Sequence, residues 1–266
     1  MMGAFAELRA QLASLLIALE FITPLRLRRV RTWDDRSFGR ALGWYPAIGL
    51  LIGLCLALID SLLAELLPMA VVSAVLIAFL AVISAGLHLD GVADTADGMA
   101  LQGDRAQRLG VMSAGNVGPA GVMSLVIVLI VQWSALAALD GDVRTAGLVL
   151  APALARWSVA PIAALFPPAR PRGLGHALRQ GVWPLAAPLS AVIAFAASAA
   201  LFGAGGLYLP LVAFAGALIL SAAAARMLDG VTGDTHGAAI EIAQATTLIA
   251  LVAASSEGWL EPLLFT

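Results

Sequence analysis

The sequence predicts an all-α fold, a polytopic membrane helix bundle with about seven transmembrane helices and an N-terminal amphipathic helix. Hydrophobic residues make up 61% of the 266 residues and charged residues only 12%, about half the charged fraction of an ordinary soluble domain. Mean hydropathy is +0.95. The apolar residues come in runs of about twenty, the length that a helix needs to cross a hydrocarbon core of ~30 Å. A soluble globule is therefore excluded.

The first apolar stretch, residues 8–23, predicts a helix in the membrane interface rather than a span. Arg9, Gln11 and Glu20 interrupt it, its leucine and isoleucine residues fall on one helical face, and Pro24 ends it. Arginine residues are then frequent in residues 26–40. We expect residues 1–41 to form an amphipathic helix and an Arg-rich segment at the membrane surface.

Seven candidate spans follow within one integral membrane domain, residues 1–266. The bundle covers residues 42–256, and residues 257–266 form a short tail. The spans are roughly 42–66, 69–89, 119–139, 147–166, 183–203, 207–228 and 240–256.

The arginine residues orient this array. Thirteen of the fifteen fall on one side, and Arg144 alone falls on the other. The positive-inside rule makes the arginine-rich side cytoplasmic. Three polar, glycine-bearing connections, 90–118, 167–182 and 229–239, then share that face. Arg156 lies in the middle of the fourth span and is expected to face the bundle interior or a wet cavity, because an arginine there costs ~2.5–3.5 kcal/mol on insertion scales.

The first polar connection carries HLDGVADTADG, His88 to Gly98. Asp90, Asp94 and Asp97 are spaced i, i+4 and i+7, which places them on one side of a helix. Three carboxylates this close repel one another, and a divalent cation would relieve the repulsion. Hard oxygen donors suit Mg²⁺ or Mn²⁺. The alternative is a solvated acidic helix end.

The last polar connection, LDGVTGDTHGAAIE, covers residues 228–241 and is similar to the first block. An internal repeat stays open as an explanation of this likeness. Asp229, Asp234 and Glu241 are candidates to contribute ligands to the same site from a second side. His88 and His236 flank the two blocks and are candidate bases or partners of a carboxylate.

The middle connection, PPARPRGLGHALRQG, covers residues 167–181. Gly173 and Gly175 allow close backbone approach, and Arg170 and its neighbouring arginines offer planar donors that match phosphate oxygens. The positive-inside rule alone also explains these arginines. Opposite two acidic blocks, however, they indicate phosphoryl transfer, in which catalysis is mainly positioning and charge neutralisation. A net charge of −2 gives no basic field for nucleic acid.

These blocks resemble those of the cobalamin synthase, or adenosylcobinamide-GDP ribazoletransferase, family. HLDGVADTADG is similar to the family's HLDG-x-ADTxDG block, TGDTHGAAIE (232–241) to TGD-x-x-GA-x-x-E, and PPARPRGLG (167–175) to P-x-AR-x-x-GLG. FITPLR (21–26) and GWYPAIG (43–49) stand in the places of F-x-TR-x-P and FP-x-x-G. Pro24 stands where the family usually has arginine, which leaves Arg26 as the nearest basic residue. His236 occupies a position that is more often apolar.

The resemblance implies the last assembly stage of the cobalamin nucleotide loop. A hydroxyl of α-ribazole, or of its 5′-phosphate, attacks the cobinamide-side phosphorus of adenosylcobinamide-GDP, and GMP leaves. Mg²⁺ is the implied cofactor. The partners are these small molecules and the lipid bilayer, with no nucleic acid; a homo-oligomer or association with other cobalamin-assembly enzymes stays open. The implied location is the bacterial cytoplasmic (inner) membrane, with a cytoplasmic active face.

The resemblance also assigns roles to residues of this chain. The metal ligands would be Asp90, Asp94, Asp97 and Asp234, and the catalytic residues Asp94, Asp97, Asp234 and Glu241. The substrate contacts would be Arg170, Arg156, Gly91, Gly173, Gly175, Thr232, His88 and Arg26.

Two other functions stay open on the residues alone. A membrane CDP-alcohol phosphotransferase would use similar chemistry, but Asp94 replaces the arginine of its DG-x-x-AR signature. A cation transporter would need ionisable residues near the membrane midplane. Here the acids are expected at span ends, and only Arg156 is expected deep in the bundle.

Overall fold

The structure, a computed structural model, describes residues 2–27, 35–180 and 184–264. Arg28, Arg29, Arg31 and Asp34 of the predicted Arg-rich segment lie outside the described residues. The described chain is helical and contains no strand, only one isolated bridge between Pro168 and Val231, so the predicted all-α class is confirmed. The helices are α1 Met2–Ile22, α2 Asp35–Ala41, α3 Tyr45–Leu63, α4 Met69–Ile83, α5 Leu87–Ala100, α6 Arg105–Val111, α7 Pro119–Ala137, α8 Gly141–Trp157, α9 Val159–Leu165, α10 Leu174–Gln180, α11 Ala186–Phe202, α12 Leu209–Leu228 and α13 Gly233–Ser256.

Five helical segments of the described chain are long and apolar enough to cross a membrane. They are Phe38–Leu63, Pro119–Ala137, Gly141–Leu165, Ala186–Leu228 and Gly233–Ser256, and the bent pair α4–α5 makes a sixth if it is counted as one span. A polytopic helical bundle is therefore confirmed. Its count of five or six segments differs from the seven predicted spans at two places.

The first difference is the predicted span 69–89. Its helix, α4, has 15 residues and ends at Ile83, so it is ~22 Å long and shorter than the ~30 Å core. The chain then turns by 85° into α5. Ala85 and Gly86 make this turn with positive φ angles of 50° and 73°.

The second difference is the segment Ala186–Leu228, which contains two of the predicted spans. Its 43 residues would extend ~65 Å as one helix. The segment is interrupted by a 3₁₀ turn at Gly203–Tyr208. Next to this turn, the backbone N–H of Leu263, beyond the end of α13, donates to the carbonyl of Leu201. At its C-terminal end, α12 leads directly into α13. The two helices pack side by side and are antiparallel.

Small residues allow α3 and α8 to pack closely along their length. A Cβ on Gly49 would lie 2.5 Å from Cα of Ala153, and one on Gly53 would collide with the backbone of Val149. Close backbone approach at glycine is the usual way for membrane helices to gain contact area. The two antiparallel helices bring the start of α3 and the end of α8 to the same face as the start of α13.

Arg144 does not lie in an outer loop, where the sequence placed it. Helix α8 begins at Gly141, so Arg144 lies inside it, 1% exposed. Its Nη2 is 2.7 Å from Oδ1 of Asp60 in α3, and its Nη1 donates to the hydroxyl of Ser73 in α4 at 3.1 Å. Asp60 provides the counter-charge, which explains how an arginine is accommodated in the bundle.

Helix α1 packs one side against the bundle. Ile17, Ala18 and Ile22 are buried, whereas Leu12 is exposed. The indole Nε1 of Trp44 donates to the side-chain oxygen of Gln11 at 3.1 Å. This bond joins the middle of α1 to the residue before α3, and the end of α1 lies beside the start of α5, where Phe21 and Leu87 line one cavity.

Candidate active site

The first acidic block forms α5, which crosses the start of α13 at closely packed glycines. A Cβ on Gly91 would lie 2.5 Å from the carbonyl oxygen of Asp234, and one on Gly237 would lie 3.3 Å from Cα of His88. The sequence assigned Gly91 to substrate contact. In the structure it lies between two helices and lets the two acidic blocks meet.

Asp94 lies among the charged groups that this crossing brings together. The charges of Asp90, Asp97 and Asp234 repel its carboxylate, and the guanidinium of Arg170 attracts it. Asp94 is 9% exposed, and the described residues offer its carboxylate no hydrogen bond. Its oxygens are therefore available to a ligand.

Asp97 has a different environment from the one predicted. Its Oδ2 accepts from the N–H of Gly118 at 2.6 Å and its Oδ1 from the N–H of Gly121 at 2.8 Å. These amides begin α7, and the first amides of a helix have no partner within the helix. Asp97 thus caps α7 from another helix, and both its oxygens are already engaged.

The four predicted metal ligands do not form one coordination shell. Within the described ranges, no three His, Cys, Asp or Glu side chains are grouped closely enough to hold an ion together. Helix geometry explains part of this result, because Asp97 follows Asp90 by seven positions, a rise of ~10 Å along the helix. Magnesium–oxygen bonds are only ~2.0–2.1 Å long. The i, i+4, i+7 pattern places the three carboxylates on one face of the helix but spreads them too far along it to share one ion.

Thr232 and Asp234 lie at the start of α13, which begins seven residues before the predicted span 240–256. Thr232 is the N-cap, and its hydroxyl accepts from the N–H of Thr235 at 3.2 Å. The same hydroxyl donates to Oδ2 of Asp234 at 3.2 Å. Thr232 is buried, so it positions Asp234 and the helix start.

The loop that carries Arg170 is joined by hydrogen bonds to the segment before α13. The N–H of Ala169 donates to the carbonyl of Val231, and the N–H of Val231 donates to the carbonyl of Pro167, both at 2.9 Å. A Cβ on Gly175 would lie 3.1 Å from the oxygen of Val231. Gly175 therefore serves this backbone contact. Gly173 has a φ of 103°, with open space where a Cβ would be.

Arg170 joins the middle polar connection to the other two polar connections. Its Nη1 lies 3.8 Å from Oδ2 of Asp234, and its Nη2 donates to the carbonyl of Leu109 in α6 at 3.1 Å. The side chain is 32% exposed, so part of its fork faces open space. The three predicted polar connections do meet on one face of the bundle.

Asp229, in contrast, lies outside this group. It ends α12 with a φ of 55°, and its side chain is 81% exposed beside Arg105. It is a surface residue.

Glu241 lies two turns deeper along α13 than Asp234, in a separate buried polar cluster. Gln132 of α7 donates to Oε2 of Glu241 at 2.7 Å, and Nδ1 of His88 lies 3.7 Å from Oε1. The charge of Arg156 acts on both Glu241 and His88. Arg156 faces the bundle interior, as predicted, but it joins this cluster and not the group around Asp94 and Arg170.

The structure also contains polar residues that the sequence reasoning missed. Asp60 pairs with Arg144, and Gln132 holds Glu241 while it accepts from Gln244 at 2.9 Å. Arg156 is thus one of several buried charged side chains among the described residues, since Asp60, Arg144 and Glu241 are buried as well. A signal was present for Gln132, because it is the one amide side chain in the apolar run 119–137 and polar residues inside spans pair with one another.

A cavity of about 710 Å³ lies between the end of α1 and the start of α5. Arg26 and Asp90 both line it. The Nη1 of Arg26 donates to the carbonyl oxygens of Glu20 and Thr23, the latter at 2.9 Å. Arg26 therefore lies near the acidic block, as expected of a substrate contact, but on another side from Arg170.

Comparison with known proteins gives this geometry its family context. The model of the cobalamin-5-phosphate synthase family matches residues 14–252. The adenosylcobinamide-GDP ribazoletransferase of Pseudomonas paraeruginosa is 38% identical over 245 residues, which cover 92% of this chain and 99% of that protein. The enzyme of the same name from Pseudomonas aeruginosa is 39% identical over 246 residues, with the same coverage. The one from Geotalea daltonii is 33% identical over 237 residues, 89% of this chain and 96% of its own.

No solved structure matches the chain significantly. The family match nevertheless extends over both acidic blocks, the arginine loop and the end of α1, which the structure places around α5. The relatives are covered almost from end to end. The chain therefore belongs to the cobalamin-5-phosphate synthase family.

Proposed function

We propose that this protein is an adenosylcobinamide-GDP ribazoletransferase that catalyses the last assembly stage of cobalamin. The supporting observation is the meeting of Asp94, Asp234 and Arg170 on one face of a membrane bundle of this family. Carboxylates and a guanidinium fork are the groups that phosphoryl transfer needs, since it depends on positioning and charge neutralisation.

In the proposed reaction, a hydroxyl of α-ribazole or its 5′-phosphate attacks the cobinamide-side phosphorus of adenosylcobinamide-GDP. A new phosphorus–oxygen bond forms, the bond to the bridging oxygen of the diphosphate breaks, and GMP leaves. The hydroxyl proton passes to a carboxylate. Arg170, held by Leu109 and Asp234, binds the diphosphate through the rest of its fork and neutralises the leaving nucleotide.

Magnesium is the proposed cofactor, and the donor chemistry fits it. Mg²⁺ is usually held by one or two carboxylates, water and substrate phosphates rather than by a complete protein shell. Asp94 and one of its acidic neighbours, Asp90 or Asp234, would hold it together with water and the diphosphate, whereas Asp97 is engaged with α7. When bound, the ion would reduce the negative charge of the diphosphate.

Glu241, His88 and Arg156 are proposed to act from beneath this site. Glu241 approaches α5 through His88, and Gln132 fixes its orientation. The cluster then keeps α5 in register with α13 and so keeps Asp94 near Asp234. This role replaces the direct substrate contact that the resemblance implied for Arg156 and His88.

The proposed location is the bacterial cytoplasmic membrane, with the site on the cytoplasmic face. Thirteen arginines lie on the site's side of the predicted array, and Arg144 is buried with Asp60, so it no longer counts for the opposite side. A Cys55→Ala background would allow single cysteines at the exposed positions 104, 172 and 257 to be labelled from either side. Positions 104 and 172 should label from the cytoplasm and position 257 from outside.

The activity is tested directly with purified protein in detergent. Adenosylcobinamide-GDP is supplied with α-ribazole or its 5′-phosphate, with Mg²⁺ or with a chelator. We expect stoichiometric release of GMP and a cobalamin product, both dependent on the metal. A protein that turned over a CDP-alcohol instead, or that only moved cations across a vesicle membrane, would contradict the proposal.

A further inference from the structure

We propose that the cavity between α1 and α5 binds the acceptor of the transfer, a ribonucleoside 5′-phosphate with a flat aromatic base, and that Arg26 recognises its phosphate. The inference rests on the proposed function. It extends that function by assigning each of the two substrates to one side of the site.

The position of the cavity along α5 supports this assignment. The cavity is lined by Ser84, Leu87 and Asp90 at the N-terminal end of that helix. Arg170 approaches from the other end, because its partner Leu109 belongs to α6, which packs against Gly98 near the C-terminus of α5. Attacking and leaving oxygens lie in line on opposite sides of the transferred phosphorus. A leaving nucleotide at Arg170 therefore leaves the cavity to the acceptor.

Asp90 connects the cavity to the reacting centre. It lines the cavity, and its charge acts on both Asp94 and Asp234. A sugar hydroxyl directed towards Asp90 would thus enter among the carboxylates that the reaction uses.

The lining has the chemistry of a nucleoside site. Phe21, Leu87 and Leu125 give an apolar wall for a flat base, and Thr23 and Ser84 belong to the same lining. The volume of about 710 Å³ lies within the ~300–1,000 Å³ that small-molecule sites occupy.

Arg26 is placed to distinguish a phosphorylated acceptor. The carbonyl oxygens of Glu20 and Thr23 hold one nitrogen of its guanidinium at the end of α1, and a guanidinium can bind two phosphate oxygens at once. The matching family is described as a synthase of cobalamin-5-phosphate, a product that keeps a phosphate. That phosphate takes no part in the transfer and needs a cation of its own.

The test compares two acceptors, α-ribazole and α-ribazole 5′-phosphate, in the Arg26→Gln variant. We expect the KM for the phosphorylated acceptor to rise at least tenfold, while the KM for α-ribazole and the KM for adenosylcobinamide-GDP stay within twofold. Arg226→Gln is the matched control, because Arg226 is an exposed arginine at the end of α12. If Arg26 only supports the end of α1, all three constants change together, and the proposal is wrong.

A second variant keeps the inference testable if Arg26→Gln does not fold. Val117 is exposed and lines the cavity, so Val117→Trp should fill part of it and raise the KM of both acceptors. A rise confined to adenosylcobinamide-GDP would show that the donor occupies the cavity and would overturn the assignment.

Calorimetric binding of α-ribazole 5′-phosphate separates this inference from the proposed function. Binding that depends on Arg26 in a protein that releases no GMP would refute the reaction and keep the cavity assignment. Release of GMP by a protein whose nucleotide binding does not depend on Arg26 would support the reaction and refute the cavity assignment. The titration is made in maltoside detergent and repeated after addition of phosphatidylglycerol. If the lipid competes with the nucleotide and abolishes its binding, Arg26 binds a lipid headgroup instead.

Discussion

Arg170 and Asp234 join two segments that are distant in sequence, with Nη1 of the arginine 3.8 Å from Oδ2 of the aspartate. The arginine follows α9, and the aspartate lies in the first turn of α13. Thr232 also donates to Oδ2 of Asp234, so the carboxylate that positions the arginine is itself held by the helix cap. A phosphate bound at this point would meet a preorganised cation.

Arg170→Lys should lower kcat on the GDP-linked substrate by about 10²-fold, in line with the loss of one electrostatic stabiliser of a transition state. An ammonium keeps the charge but cannot hold Leu109, Asp234 and two phosphate oxygens together. The measurement is steady-state GMP release. Arg172→Lys, an exposed arginine of the same loop, is the control, and equal behaviour of the two variants would remove Arg170 from the site.

Asp94→Asn should lower activity by ~10²-fold or more at limiting Mg²⁺, with little change in stability. The variant retains the volume of the side chain but removes the charge on which the other three carboxylates act. The activity is measured against Mg²⁺ concentration. Asp229→Asn, at an exposed carboxylate outside the group, should behave like wild type. Wild-type turnover of Asp94→Asn at low Mg²⁺ would refute a metal role.

Asp97→Ala should instead reduce stability, by about 0.5–2 kcal/mol as for the loss of a helix N-cap, because Gly118 and Gly121 would lose their acceptor. The Mg²⁺ concentration for half-maximal activity should not change. Thermal unfolding in detergent measures the first effect, with Asp142→Ala at an exposed acid as the control. A stable variant that needs more Mg²⁺ would make Asp97 a ligand after all.

Gly91→Ala should disrupt the crossing of α5 and α13, because the added methyl group would lie 2.5 Å from the carbonyl of Asp234. We expect a lower unfolding temperature and loss of most activity. Gly110→Ala is a matched control within α6, where a Cβ would meet nothing within 4 Å. If both alanine variants are equally active, α5 and α13 are not in the contact described.

The sequence predicted the helical membrane class and the meeting of the three polar connections because both follow from local properties. Apolar runs specify spans, and the arginine distribution assigns connections to one side. Hydropathy does not report the direction in which the chain runs, however. The apolar run 69–89 therefore gave no sign of the turn at Ala85 and Gly86.

Side-chain partners were harder to predict than side-chain positions. The helical stripe of Asp90, Asp94 and Asp97 was sound geometry, but the partners of Asp97 begin α7, which follows in sequence after an intervening helix. The sequence likewise assigned Arg144 to a loop, because an arginine beside a short polar connection usually belongs to it. Its acceptor, Asp60, lies 84 residues earlier.

The pair formed by Asp60 and Arg144 sets a condition on biosynthesis. During translation α3 is made well before α8. Asp60 must therefore remain without Arg144 until α8 follows. Once α3 is in place, it offers the incoming arginine a counter-ion. Integration of α8 should therefore be easier after α3 than alone, because the order of these two helices along the chain supplies the counter-ion before the arginine arrives.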